Sequence, residues 1–203
     1  MAALGADGPQ VLVSTSAIGY YGDRGDTVLT ETSGPGDDFL ADVCQQWEAA
    51  ADPARRAGIR VAHPRLGIVQ STKGGALGTQ LPLFKFGLGG PIGPGTQWWS
   101  WVHIDDAVGA LVHLLDNDVS GPANVTAPNP VTNAEHAKAL GRALHRPALL
   151  RPPRFALDLR LGRELAQALL LTSARVLPAA LESTGFVFSH PDLDEALHDL
   201  VGH

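Results

Sequence analysis

The sequence predicts an α/β fold, with parallel strands joined by helical crossovers and a smaller, mostly helical C-terminal part. Three observations predict it. Short apolar runs, Val11–Val13 and 59–69, alternate with stretches whose apolar residues recur at helical spacing. A strand, a helix and a strand in that order imply a right-handed parallel crossover. From about residue 147 the character shifts: Leu and Ala dominate, and Pro152-Pro153, Gly162, Pro178 and Gly185-Phe186 separate helical stretches. The expected division is therefore 1–146 and 147–203.

Val11–Val13 reads as a buried strand that ends in the hydroxyls of Ser14, Thr15 and Ser16. Glycines and aspartates make 19–26 a loop. Asp37 or Asp38 caps a helix expected to run to about Arg56, with Phe39, Leu40, Val43, Trp47 and Ala50 on its apolar face. Residues 59–69 form the next strand. A short helix is expected over 77–86, with Pro82 inside it. The Gly/Pro-rich stretch 87–95 is a loop, and 98–104 a strand with Trp99 and Trp101 on one face and Trp98 on the other. Asp105 or Asp106 caps a helix to about Asn117, 123–126 is a strand, and Thr132 caps a helix to about Leu144.

Composition narrows the function classes. The chain has 203 residues, 44% hydrophobic and 18% charged, which suits a globular protein and excludes a disordered one. The net charge of -6 and the lack of a Lys/Arg patch argue against nucleic acid. A membrane surface is equally unsupported, and no apolar run reaches spanning length. Cys44 is the single cysteine, so a disulfide framework and a Cys-rich metal site are both excluded. The expectation is a cytoplasmic protein.

Five segments, taken in order, resemble one family: Ser14-Thr15-Ser16-Ala17-Ile18-Gly19-Tyr20-Tyr21-Gly22-Asp23; Asp38-Phe39-Leu40 with Trp47-Glu48-Ala49-Ala50; Arg65-Leu66-Gly67-Ile68-Val69; Leu88-Gly89-Gly90-Pro91-Ile92-Gly93 with Trp101-Val102-His103-Ile104-Asp105-Asp106; and Asn124-Val125-Thr126-Ala127-Pro128-Asn129-Pro130-Val131-Thr132-Asn133. The chain resembles the epimerase-like branch of the atypical extended short-chain dehydrogenases/reductases, whose members end in a conserved domain of unknown function. The resemblance implies a partial Rossmann-like parallel sheet, the C-terminal strands of a doubly wound fold, plus the small helical domain. It implies NADP or NAD in a full-length form.

The family opens with a strand, a Gly-rich turn and a helix that hold the cofactor pyrophosphate on exposed backbone N–H groups. The first strand here resembles the fifth strand of that fold. The expectation is a chain that lacks the Gly-rich part and binds no cofactor tightly, with Met1 internal to a longer gene. The stretch Gly87-Leu88-Gly89-Gly90-Pro91-Ile92-Gly93 is only superficially similar, because it leads into Pro94 and tryptophans rather than a helix.

Relatives use a Tyr and, four residues later, a Lys that lowers the phenol pKa for proton exchange with a substrate hydroxyl. Matching on Glu48 puts Leu40 and Cys44 at those positions, and neither can do that work. Ser16 is the candidate that holds the reacting substrate oxygen, unless its hydroxyl only satisfies the strand end. Tyr21 is the candidate proton donor, with aromatic packing the alternative. Ser14, Arg65, Gly67 and Val69 are the candidate cofactor-binding residues. Gly67 permits close approach, and Arg65 meets a phosphate or forms an internal salt bridge. His103, Asp105 and Asp106 are not read as a metal set: the two aspartates suit capping of the following helix, the resemblance makes His103 structural support for the cleft, and no metal site is expected. The partners expected are a small-molecule substrate and, for a non-catalytic interaction module, a second chain covering an exposed sheet edge.

Overall fold

The computed structural model describes residues 8–151 and 171–202. Strands β1 (Val11–Val13) and β2 (Ser16–Ala17) follow one another, then a 3-10 turn (Ile18–Tyr21) and β3 (Val28–Leu29). Helix α1 (Phe39–Ala49) and helix α2 (Asp52–Arg56) lead to β4 (Arg60–Leu66), β5 (Ile68–Gln70) and α3 (Gly75–Lys85). Next come β6 (Trp98–Trp99), β7 (Trp101–His103), α4 (Ile104–Asp116), β8 (Gly121–Val125), β9 (Val131–Thr132) and α5 (Asn133–Ala143). The C-terminal part supplies β10 (Arg175–Val176), α6 (Ala179–Ser183) and α7 (Leu193–Val201).

The central sheet is parallel. Strands β1 and β2 line one side of β4, and β8 lines the other. Between β1 and β4 the chain passes through α1 and α2, the parallel crossover that the apolar pattern predicts. The expected strand over 59–69 is divided at Gly67, where the chain leaves the central sheet. After it, β5 pairs with β7 instead. A side chain at 67 does not fit: its Cβ would lie 2.6 Å from Ser100 O.

The helix expected to reach Arg56 is also divided, after Ala49. Asp38 is its N-cap, its side chain accepting from Ala41 N at 2.8 Å. The buried positions of α1 are Ala41 and Cys44, while Phe39 and Trp47 are 76% and 53% exposed. The apolar stripe read from the sequence thus faces a cavity and solvent rather than the core.

The single strand expected over 98–104 is broken at Ser100. Its Oγ donates to Ala174 O and accepts from Val176 N, both at 2.8 Å, so the break is a docking point for β10. Helix α4 is capped neither by Asp105 nor by Asp106. His103 is its N-cap, with Nδ1 accepting from Asp105 N. Asp106 instead accepts from Ser189 N and His190 N, at 2.7 and 2.9 Å. Thr132 caps α5 as expected, in a reciprocal capping box with Glu135.

Two main apolar clusters form the core. One joins Leu77 and Phe84 of α3, Trp101, Leu140 of α5 and Leu197 of α7. The other joins Ala62, Val102, Leu114, Val125 and Leu181 across β4, β7, α4, β8 and α6. The described residues beyond 171 are therefore built into the core, and β10 pairs with β3. Much of the helical stretch expected over 147–203 lies at 152–170, outside the described residues. Among the described residues no helix is long and apolar enough to cross a membrane.

Candidate active site

The register of the central sheet sets Ser16, Arg65 and Asn124 side by side across β2, β4 and β8. All three are at the C-terminal ends of parallel strands, where ligands gather in folds of this kind. Arg65 is the hub. Its Nε and Nη2 donate to Glu48 Oε1 and Oε2 at 2.8 and 2.9 Å, and its Nη1 donates to Tyr21 Oη at 3.0 Å. The Tyr20 ring lies 3.4 Å beneath the guanidinium. Tyr21 Oη in turn donates to Asn124 Oδ1 at 2.7 Å.

The electrostatics follow from this packing. Burial works against the Arg65 charge, but Glu48 and Tyr21 outweigh it and hold its pKa above the ordinary value. Burial would raise Glu48, yet the Arg65 bonds prevail and keep its carboxyl below the usual range. Burial pushes the Tyr21 phenol up despite Arg65, so it keeps its proton at neutral pH. Burial likewise raises the Cys44 thiol, which stays protonated.

Beside this network is a cavity of about 350 Å³. One wall is α1, with Leu40, Val43, Cys44 and Trp47. Another is the β4–β5 junction, with Leu66, Gly67 and Ile68. Trp98, Trp99 and Ser100 close it with Ala174. The lining is overwhelmingly apolar. Ala17 belongs to it, and Ser16 stands one residue before. The Ser16 hydroxyl is buried and makes no hydrogen bond of good geometry, although Glu48 and Cys44 are near enough to feel its dipole.

The structure separates the sequence candidates into two groups. Gly67 lines the cavity, as do Leu40 and Cys44, the two positions matched to the relatives' dyad. Tyr21 and Arg65 are together but in the buried clamp. Tyr21 is 0% exposed, and its phenol is engaged on both sides. Of the two roles read for Arg65, the internal salt bridge is the one formed. Val69 packs into the core cluster of β7 and α4, and its neighbour Ile68 faces the cavity. Ser14 bonds back to the sheet, its N donating to Ala62 O at 2.9 Å. The N–H groups of Gly67 and Ile68 are likewise committed, to Val125 O and Ser100 O.

Asn124, Glu48 and Glu31 carried no functional role in the sequence, whereas Trp98 was open to stacking on a ligand. Asn124 and Glu48 complete the Arg65 clamp. Glu31 Oε1 accepts from Asn124 N and Ala180 N, fastening the β8 edge to α6. Trp98 has Arg175 over its ring at 4.4 Å and donates from Nε1 to Asp26. An Arg inside the apolar run of β4 was the available signal for the clamp, because a lone buried charge needs a partner.

A parallel sheet with a cavity at its strand ends, bounded by a crossover helix, defines a Rossmann-like protein of the short-chain dehydrogenase/reductase class. Comparison with known proteins agrees. Residues 152–200 match the family described as Domain of unknown function (DUF1731). The chain is 45% identical over 197 residues to an epimerase family protein of Mycobacterium leprae, covering 97% of this chain and 64% of the relative. It superposes on the crystal structure of human epimerase family protein SDR39U1 with NADPH at a TM-score of 0.87 and 35% identity, covering 95% of this chain and 65% of that one. A nucleoside-diphosphate sugar epimerase from Corynebacterium glutamicum superposes at 0.75 with 41% identity, over 99% of this chain and 40% of that one. By sequence and fold the chain is similar, over nearly its whole length, to atypical extended short-chain dehydrogenases/reductases of the epimerase family. It spans 64% and 65% of the Mycobacterium leprae and human relatives and 40% of the Corynebacterium one.

Proposed function

We propose that the cavity receives the ring end of a nicotinamide dinucleotide, in an NAD(P)-dependent epimerase or oxidoreductase acting on a sugar nucleotide. The observation that carries this reading is the placement of Leu40 and Cys44. They are the positions matched to the relatives' dyad, and both face a cavity at the ends of parallel strands. An apolar lining with Gly67 at one wall fits a flat ring. The human relative's crystal structure with NADPH supports the cofactor class, and the name of the Corynebacterium relative supports the substrate class.

When bound, the nicotinamide supplies a hydride donor or acceptor. The residues of the chain do the rest. Leu40, Val43, Trp98 and Trp99 exclude water from the ring's surroundings. Ser16 is the hydroxyl assigned to hold the reacting oxygen, since its Oγ is buried without a good partner. Tyr21, read from the sequence as a proton donor, and Arg65 and Glu48 are assigned to positioning: their clamp keeps β2, β4 and α1 in register around the cavity. Neither Leu40 nor Cys44 supplies the phenol–ammonium pair, so the reading assigns this family branch a slow or altered proton step. Ser14 and Val69 are given no cofactor contact. Cys44, buried and unpaired, suits a reducing cytoplasm.

The reading also holds that these 203 residues do not grip the pyrophosphate. The sequence contains no G-x-G-x-x-G stretch. Tryptophan fluorescence tests both parts, because Trp98 and Trp99 line the cavity. Reduced nicotinamide mononucleotide and NADPH should quench it equally and only at millimolar concentration. Quenching by neither removes the ring site. Micromolar NADPH binding removes the claim of weak grip alone.

A second reading, a non-catalytic interaction module, is favoured by the free edge of β1. Among the described residues β1 pairs only with β4. In this reading a second chain supplies the missing neighbour strand.

A further inference from the structure

We infer that His103, His190 and Asp199 form a binding site for a divalent cation of the zinc class, separate from the cavity above. Their potential ligand atoms, imidazole nitrogens and a carboxylate oxygen, all lie within 4.8 Å of one another. His103 Nε2 and Asp199 Oδ2 are 3.4 Å apart. That is close to the roughly 3.3 Å edge of a tetrahedron with zinc-ligand bonds of about 2.0–2.1 Å. The His103 and His190 rings are stacked at 3.9 Å and inclined at 32°, so closure on one ion needs the half-buried His190 to turn its ring out of the stack.

An independent observation points to a ligand. His103 is 1% exposed, and its Nε2 is buried without a hydrogen bond of good geometry. A buried ring nitrogen whose nearest partner is a poorly aligned carboxylate 3.4 Å away is costly, and a cation held between them resolves it. The other ring nitrogen has a carboxylate within reach if it takes the proton. Nδ1 now accepts from Asp105 N at 3.1 Å, and the Asp105 carboxylate lies 3.9 Å away. Ion binding at Nε2 moves the ring proton to Nδ1, which gives up the bond from Asp105 N and turns its N–H toward Asp105 Oδ2. This is the carboxylate–histidine support common around metal ligands.

The three ligands come from elements already locked together. His103 ends β7 and caps α4. His190 is held by the backbone bond from its own N–H to Asp106 Oδ2, on α4. Asp199 is on α7, which Arg142 of α5 anchors through Asp194. Two imidazoles and one carboxylate suit zinc, cobalt or nickel rather than magnesium or calcium. Three protein ligands leave a coordination position for water. The ion clasps the C-terminal helix to the end of β7.

The test is titration of the metal-stripped 203-residue chain with Zn2+ by calorimetry, and with Co2+ by visible absorption. One saturable site of micromolar affinity is expected, together with Co2+ bands of low coordination number and a rise in the melting temperature. H190A and D199N are chosen because both residues reach the surface, so folding without metal should persist and is checked by circular dichroism. Each should weaken binding by at least about tenfold. H198A, outside the triad on the same helix, should bind as the parent does. No saturable binding up to roughly 100 μM, a Zn2+ concentration far above any site of zinc-finger strength, overturns the inference. So does parental affinity in H190A and D199N, or loss of binding in H198A alone.

Discussion

His136 shows how a single residue ties the protein's stability to pH. It is 1% exposed, its Nε2 lies 3.1 Å from Gln70 Oε1, and its ring tilts against Trp99 of the cavity wall. Its Nδ1 is buried without a partner. Burial lowers its pKa from 6.5 to about 4. The unfolded chain therefore takes up a proton at a higher pH than the folded one. The stability this group contributes is fully present above about 6.5 and is lost as pH falls toward 4. At about 1.4 kcal/mol per unit, the loss over that window is about 3 kcal/mol. Urea unfolding at pH 7 and at pH 4.5 should show this loss in the parent. His136→Gln should be weaker at pH 7 and less sensitive to acid. Equal pH dependence in both proteins would show that the imidazole is not the group responsible. Arg65 presents the opposite case. It is a buried charge kept by Glu48 on one side and aromatic rings on two others, and its removal leaves a carboxylate with little water.

At the scale of elements, the decisive feature is the interruption of β4–β5 at Gly67. The first half belongs to the central sheet and the second to the pair with β7, so the chain steps sideways where the cavity opens. The step depends on an absent side chain. A methyl at 67 would meet Ser100 O at 2.6 Å and Thr126 Cγ2 at 2.8 Å, contacts with little freedom to yield. Gly67→Ala should therefore cost about 1–3 kcal/mol, as overpacking does elsewhere. It should also shift tryptophan emission, because Ser100 lies between Trp99 and Trp101. Denaturant unfolding followed by fluorescence checks both. A variant as stable as the parent, with unchanged emission, would mean that β5 and β7 can move apart freely.

At the scale of the whole molecule, an edge and an apolar stripe are left facing outward. Strand β1 has no neighbour beyond β4 among the described residues. Helix α4 packs on β1 and exposes Val108 at 53%, Val112 at 49% and Leu115 at 47%, residues spaced for one helix face. A free strand edge next to an apolar stripe favours pairing with another chain. The purified protein should associate with itself as concentration rises, seen by size-exclusion chromatography with light scattering. Val108→Lys combined with Val112→Lys should shift it toward monomer. A strict monomer across the micromolar range would remove the interaction-module reading.

The sequence by itself determined the features that depend on near neighbours. Asp38 and Thr132 are caps because each has free backbone N–H groups two or three residues ahead, and both were legible. The strand–helix–strand order and the helix over α3 with Pro82 inside were also legible, and the ordered family segments matched Leu40 and Cys44 to the relatives' dyad without placing them at a cavity. What the sequence hid depends on groups far along the chain. Gly67 reads as one more strand residue until Ser100 O is found beside it. Ser100 reads as part of an alternating strand until β10, more than seventy residues later, takes both bonds of its hydroxyl. His103 gave no sign of capping α4, since imidazole is a rare cap. Arg65 had two open roles, and only the fold brought Glu48 and Tyr21 to it. Local periodicity is set by backbone geometry and is written in the chain. Which buried polar group finds which partner is set by packing, and that is settled only when the distant elements close on one another.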